Sequence, residues 1–180
     1  ITSNQILYAQ WNANTFTVTF VGNGGTMGST TKKTVTYDSA YGDLSKITAT
    51  RTGYTFTGWY TAASGGTQVT SETTVTITSN QTLYAQWNAN TYTATFVGNG
   101  GTMGSTTTKP VTYNSTYGDL SKITATRIGY TFKGWYTAAS GGTQVTSTTK
   151  VTQAKDHTIY AQWNANTYTV TFNQSGGTTP

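Results

Sequence analysis

"GYTFTGWYTAASGGTQVT", residues 53–70, sets a strand-like alternation against a glycine-rich turn. Period-2 alternation places Tyr54, Phe56 and Tyr60 on one face and Trp59 on the other, and aromatic bulk on both faces predicts a central strand. "AASGGT" at 62–67 supplies the turn, because paired glycines accept the backbone angles of a reversal. The same string returns at 129–146 as "GYTFKGWYTAASGGTQVT", changed only where Thr57 becomes Lys133. The two copies are therefore read as sharing one role.

Trp11, Trp87 and Trp163 recur at intervals of 76 residues, as do Gly22 and Gly98 and Tyr60 and Tyr136. This spacing predicts the end of a preceding repeat at 1–14, whole modules at 15–90 and 91–166, and the start of a following repeat at 167–180. Because "ITSNQILYAQWNAN" at 1–14 nearly repeats "ITSNQTLYAQWNAN" at 77–90, the chain is expected to be part of something longer. A period well beyond the roughly 20–50 residues of solenoid repeats points to beads in series, each with its own small core. Only "NAN" at 88–90 separates one closing strand from the next opening strand, too little chain for a flexible tether.

Within a module, "TFTVTFV" at 15–21 alternates Phe16, Val18 and Phe20 against threonines, the pattern of a half-buried strand. Asn23-Gly24 in "GNGG" tolerates the positive φ of a tight reversal, and "KTVTY" at 33–37 is the expected return strand. Residues 41–53 read as a short helix capped by Asp43 over Leu44 and Ile47, or as an irregular crossing, since threonines weaken the helical case. Val75 and Ile77 mark another short strand. "TLYAQW" at 82–87 then turns Leu83, Ala85 and Trp87 inward and Tyr84 and Gln86 outward. The expected class is mainly β, or α+β if the connecting segment is helical. Phe56, Trp59, Leu83 and Trp87, with Phe132, Trp135, Ile159 and Trp163, are the expected core, because a unit this small needs its aromatics simply to bury enough surface.

Charged residues make up only 8% of the chain, and the formal charge of +5 is unevenly placed. Residues 15–90 carry four Lys/Arg against three Asp/Glu, and residues 91–166 carry six against two. No Arg/Lys stripe interleaves with aromatics, so nucleic acid is not an expected partner. The absence of cysteine removes disulfides and thiolate metal sites. No apolar run approaches the roughly 18 residues of a membrane span, so no membrane insertion is expected in this segment. No basic-then-apolar leader opens the chain, and targeting signals are expected outside it.

The two copies also test for catalysis. His157 corresponds to Gln81, Glu72 to Thr148 and Asp38 to Asn114, which leaves Asp43 and Asp119 as the acids present in both. One carboxylate per module makes no acid/base pair, and no nucleophile triad or metal cluster appears, so no enzyme activity, catalytic residue, metal or cofactor is expected. "GNGGTMG" at 22–28 lacks the Lys-Ser/Thr of a phosphate loop and reads as a hairpin turn. Lys33 and Lys109, with a nearby Asp or Asn, are candidates for an isopeptide crosslink. Asn80, Asn114 and Asn173 begin N-x-Ser/Thr triplets, which arise easily in a threonine-rich chain. Tyr84 and Tyr160, outward on the closing strand, are candidates for stacking on sugars, although cross-strand packing uses tyrosine beside threonine in the same way.

"VTFVGNGG" at 18–25, "RTGYTFTGWYTAASGGTQV" at 51–69, "LYAQW" at 83–87 and "YTVTF" at 168–172 together resemble the Listeria-Bacteroides repeat, the B-repeat family known from internalin B. The likeness covers essentially the whole chain. It implies compact β-grasp-like modules arranged end to end, in extracellular proteins of the bacterial cell surface that hold a distal adhesive region away from the envelope. The expected function is thus a non-enzymatic stalk or spacer of an adhesin-like protein. The alternative is a repeated carbohydrate-binding module for envelope glycans or host polysaccharide. Implied partners are neighbouring repeats of the same chain, envelope glycans or the host surface. Many family members have prolines after the position of Leu44, whereas this chain has Ser45-Lys46-Ile47-Thr48, which removes a helix breaker.

Overall fold

The computed structural model describes residues 3–172 and 176. It divides into two units, Ile1–Asn90 and Thr91–Pro180. Strands of the first unit are β1 (Thr15–Val21), β2 (Thr26–Met27), β3 (Lys32–Thr36), β4 (Ala49–Thr50), β5 (Tyr54–Tyr60), β6 (Gln68–Val69) and β7 (Gln81–Ala89). The second repeats them as β8 (Thr91–Val97), β9 (Thr102–Met103), β10 (Thr108–Thr112), β11 (Ala125–Thr126), β12 (Tyr130–Tyr136), β13 (Gln144–Val145) and β14 (His157–Ala165). The fold is mainly β, and no helix occurs among the described residues.

Each unit has one five-stranded sheet, in the order β3-β1-β7-β5-β6 and β10-β8-β14-β12-β13. Two antiparallel pairs, β1 with β3 and β5 with β7, are joined by the parallel pairing of β1 with β7. The centre of the sheet is therefore β7. The strand of the opening motif, β5, lies one place further out: it pairs along its length with β7 on one side and with only the two-residue β6 on the other, so the central place expected for it belongs to β7. A second sheet of two short strands pairs β2 with β4, and β9 with β11 in the second unit, and Met27 and Ala49, like Met103 and Ala125, pack against the cores.

The hydrophobic cores are matching sets. Val18, Phe20, Val35, Tyr41, Ile47, Trp59, Val69, Val75, Leu83 and Ala85 are buried together in the first, and Ala94, Phe96, Val111, Tyr117, Ile123, Trp135, Val145, Val151, Ile159 and Ala161 in the second. Alternation produces these sets: the two-residue repeat of a pleated strand turns Leu83, Ala85 and Trp87 to one face. Trp59 packs edge-on against Phe20 at a centroid distance of 4.9 Å.

The motif strand breaks strict alternation. Phe56 faces Trp87, Gly58 faces Gln86 and Trp59 faces Ala85, so the strand carries one extra residue and the register shifts between Phe56 and Gly58. Such a bulge reverses the phase of the side chains beyond it. Phe56 and Trp59 thereby share the inward face, where strict alternation had put them on opposite sides. Gly58 takes φ 140°, and a Cβ there would meet Gln68 Nε2 at 2.5 Å. The bulge also corrects the expected core. Trp59 is 3% exposed, but Phe56 is 37% and Phe132 41% exposed at the sheet margin. Each is held by edge-on contacts to two tryptophans, at 5.2 and 5.5 Å for Phe56 and at 5.2 and 5.4 Å for Phe132. Trp87 and Trp163 are half-buried against the edges of their cores.

The connecting segment at 41–53 is the irregular crossing, so the α+β alternative falls away. Asp43 Oδ1 accepts the Ser45 N–H at 2.8 Å, a local side-chain turn that competes with helix, and Ile47 N–H bonds back to Leu44 O at 3.0 Å. The absent prolines do not bring a helix. Val75 and Ile77 form no strand either: Val75 is buried in a loop whose Thr74 makes an isolated bridge with Ala40. Residues 3–14 and 167–172 belong to no strand, and Leu7, Trp11, Val170 and Phe172 are exposed.

Candidate functional site

The polar side chains with the most structural connections sit where the turns meet the sheet. Asn23, at φ 48°, donates through Nδ2 to Ala63 O at 2.7 Å and to Ala85 O at 2.9 Å. One amide thus ties the "GNGG" turn to both the "AASGGT" turn and the central strand. Gln86 Nε2 donates to Ala62 O at 3.1 Å and to Gly65 O at 2.6 Å, and Trp87 Nε1 donates to Gly22 O at 3.0 Å. Asn99, Gln162 and Trp163 repeat all five bonds in the second unit. Gly25 lies under the Trp87 ring so closely that a Cβ would come within 2.4 Å of it. The glycine-rich loop is therefore filled by indole and protein hydrogen bonds, as a hairpin turn and not as an anion cradle.

Opposite this end, the copies use different chemistry for one contact. Tyr41 O–H donates to Gln81 Oε1 in the first unit. In the second, Tyr117 OH lies 2.6 Å from His157 Nε2, and His157 Nδ1 lies 3.0 Å from Lys155 O. A carbonyl only accepts, so Nδ1 carries a proton, and Nε2 shares the second bond with the Tyr117 hydroxyl, which can donate or accept. Burial pushes both phenols, Tyr41 and Tyr117, above the ordinary tyrosine range.

The carboxylates common to both copies do structural work. Asp43 and Asp119 are held below the ordinary aspartate range chiefly by the backbone N–H of Ser45 and Ser121, with the serine side chains and nearby lysines adding to the effect. Lys33 Nζ donates to the main-chain oxygen of Asp43 at 2.6 Å, so the lysine meets a carbonyl in exposed surroundings. No charged side chain is buried among the described residues. Nor do three or more His, Asp or Glu side chains gather there as a metal cluster.

Tyr84 and Tyr160 are half-buried and face Tyr60 and Tyr136 across the strand pairs, the cross-strand packing arrangement. Asn80 accepts the Thr17 N–H at 2.8 Å, Asn114 occupies a turn at φ 62°, and Asn173 lies outside the described residues. Asn23 and Gln86 were not singled out from sequence for side-chain roles. Asn-Gly announces the turn, but the partners of Asn23 lie 40 and 62 residues away, beyond any local signal.

The Listeria-Bacteroides repeat domain model matches residues 16–86 and again 92–162. Internalin H of Listeria monocytogenes is 44% identical over 117 residues, covering 65% of this chain and 20% of that protein. A Gly-rich protein of Evansella cellulosilytica, named as a membrane protein, is 34% identical over 185 residues, covering 97% of this chain and 20% of its own length. A second membrane protein so named from the same organism is 33% identical over 181 residues, covering 95% and 24%. The chain thus spans about a fifth to a quarter of the length of these curated relatives. Among its described residues, no helix is long and apolar enough to cross a membrane.

Proposed function

Because the chain belongs to the Listeria-Bacteroides repeat family, we propose that it is a non-enzymatic stalk or spacer segment of an extracellular, adhesin-like protein of the bacterial cell surface. The observation that carries this reading is the parallel register of β1 with β7, Val18 opposite Gln81 through Val21 opposite Tyr84. A module is entered at the start of β1 and left at the end of β7. Tension along the chain therefore slides these two strands lengthwise past each other. All the hydrogen bonds of the pair are then loaded together in shear, whereas a hairpin pulled from its open end would lose them one by one. This is how a small module resists extension.

Two further features support the reading. The sheet order, two antiparallel pairs joined by a central parallel pair, supports the β-grasp-like module that the family resemblance implies, with an irregular crossing where a helix would lie. A single residue, Asn90, lies between β7 and β8, and its N–H donates to Gly53 O at 2.9 Å while its Oδ1 accepts the Thr55 hydroxyl at 2.6 Å. On the spacer reading, a tandem array is expected to lengthen in proportion to its copy number. Small-angle scattering on chains with one, two and four modules tests this. A maximum dimension rising by equal steps supports the spacer, and one that levels off contradicts it.

A further inference from the structure

We propose that the groove beside the closing strand of the second module binds an anionic oligosaccharide of the uronate class, and that the first module does not. This goes beyond the spacer reading and does not depend on it, since neither the sheet nor the tandem connection takes part. The groove, about 690 Å³, runs between the loop at 149–156 and the start of β14, with Lys150, Lys155, His157, Tyr117 and Tyr160 in its wall. That volume lies within the range of about 300–1,000 Å³ typical of small-molecule sites.

Charge selects the ligand. Lys150 and Lys155 are exposed at the groove, and neither ammonium is held in an ion pair among the described residues. The acid in the wall, Asp156, has one carboxylate oxygen occupied by the Thr93 N–H at 2.8 Å. His157 is fixed in orientation by Tyr117 and Lys155 O, so its ring is already placed against the groove. Threonines and the two tyrosines make up most of the rest of the wall, with Val145 and Ile159 as its apolar part. Hydroxyls that donate and accept, tyrosines with an apolar body and a polar tip, and a few separated cations suit a chain of hydroxylated rings bearing occasional carboxylates. A nucleic acid would require denser phosphate contacts and basic residues interleaved with stacking aromatics.

The first module supplies the contrast. At the corresponding positions it has Thr74 for Lys150, Ser79 for Lys155, Gln81 for His157 and Asn80 for Asp156. Where the second module places exposed Gln153 in the groove wall, the first has Ile77, partly buried and packed on the core. The positive character of the groove therefore comes from a loop in which the two copies differ.

The test is a titration of the whole chain, isotopically labelled, with tetragalacturonate, followed by backbone amide resonances. Saturable shifts are expected at 149–160 and not at 73–84, and a neutral galactose tetramer should bind at least about tenfold more weakly. The variant Lys150→Thr/Lys155→Ser/His157→Gln uses only side chains that the same fold carries at these positions in the first module. It should remain folded and lose at least about tenfold in affinity. The reciprocal Thr74→Lys/Ser79→Lys/Gln81→His should confer shifts on the first module. The proposal is overturned if tetragalacturonate leaves 149–160 unshifted at millimolar concentration, if the neutral tetramer binds equally well, or if the triple variant retains affinity. Tighter binding of an RNA tetranucleotide at the same residues would also overturn it and assign the groove to nucleic acid.

Discussion

The two modules share one framework and differ most densely in the loop that leads into the closing strand. The five side-chain bonds made by Asn23, Gln86 and Trp87 recur 76 residues later with the same residue types, in Asn99, Gln162 and Trp163. The stretch 77–83, "ITSNQTL", has by contrast become "QAKDHTI" at 153–159. Even there the hydrogen-bonding role survives the change of residue. Thr17 N–H meets Asn80 in one copy and Thr93 N–H meets Asp156 in the other, both at 2.8 Å. Tyr41 finds Gln81 where Tyr117 finds His157. The fold constrains which atoms must be present in this stretch and leaves charge free to vary.

If the frameworks are equivalent, matched substitutions must cost the two modules alike. Trp59→Ala and Trp135→Ala should have the largest effect, about 3–5 kcal/mol each for loss of a buried indole. Denaturant unfolding should show only the substituted module destabilised. An unchanged transition would place the motif tryptophan on the surface. Next, Gly25→Ala and Gly101→Ala force a methyl group to 2.4 Å from the Trp87 or Trp163 ring. Overpacking of this kind costs about 1–3 kcal/mol, to be read from the same unfolding curves.

Asn23→Ala and Asn99→Ala remove two bonds and place alanine at φ 48° and 46°. About 1–3 kcal/mol is expected, with Asn→Gly recovering only the part due to backbone conformation. A marked difference between the copies in any of these pairs would break the equivalence. Exchanging 77–83 with 153–159 should leave both modules folded by circular dichroism, and collapse of either chimera would show that the variable stretch is structural.

Acid should produce the smallest effect. Folding lowers the aspartate pKa at Asp43 and Asp119, so their contribution to stability is complete above the unfolded-state value and is lost as pH falls through the lower folded one. Asp43→Asn and Asp119→Asn should flatten the acid limb of the stability profile equally in the two modules, as measured by thermal unfolding across that range.

Much of this architecture was legible in the sequence. Alternation in "TFTVTFV" and "TLYAQW" identifies two strands and their buried faces, Asn23-Gly24 marks a reversal, and Gly65-Gly66 marks another, with φ of 65° and 73°. The bulge was missed although its signal was present: an isolated glycine inside a strand, Gly58, is where an extra residue is accommodated. Strict alternation without it puts Phe56 and Trp59 on opposite faces, whereas the partial exposure of Phe56 follows from its place at the sheet margin. Other features leave no local trace. The parallel pairing of β1 with β7 joins segments more than 60 residues apart, and nothing near Thr15 announces it. The groove has no sequence signature, because its two lysines are scattered through a loop and no motif sets Lys150 and Lys155 in one wall.

Stretching the chain by its ends in a single-molecule force experiment tests the load-bearing claim most directly. Each module contains 76 residues, so each unfolding event should release roughly 250 Å of extended chain, less the folded length. Pulling between Thr15 and Ala89 shears β1 against β7, whereas pulling between Thr15 and Thr36 opens the β1·β3 hairpin from its end. The account predicts two such events and a clearly higher unfolding force in the first geometry than in the second. Equal forces in both geometries, or smooth extension without distinct events, would contradict it.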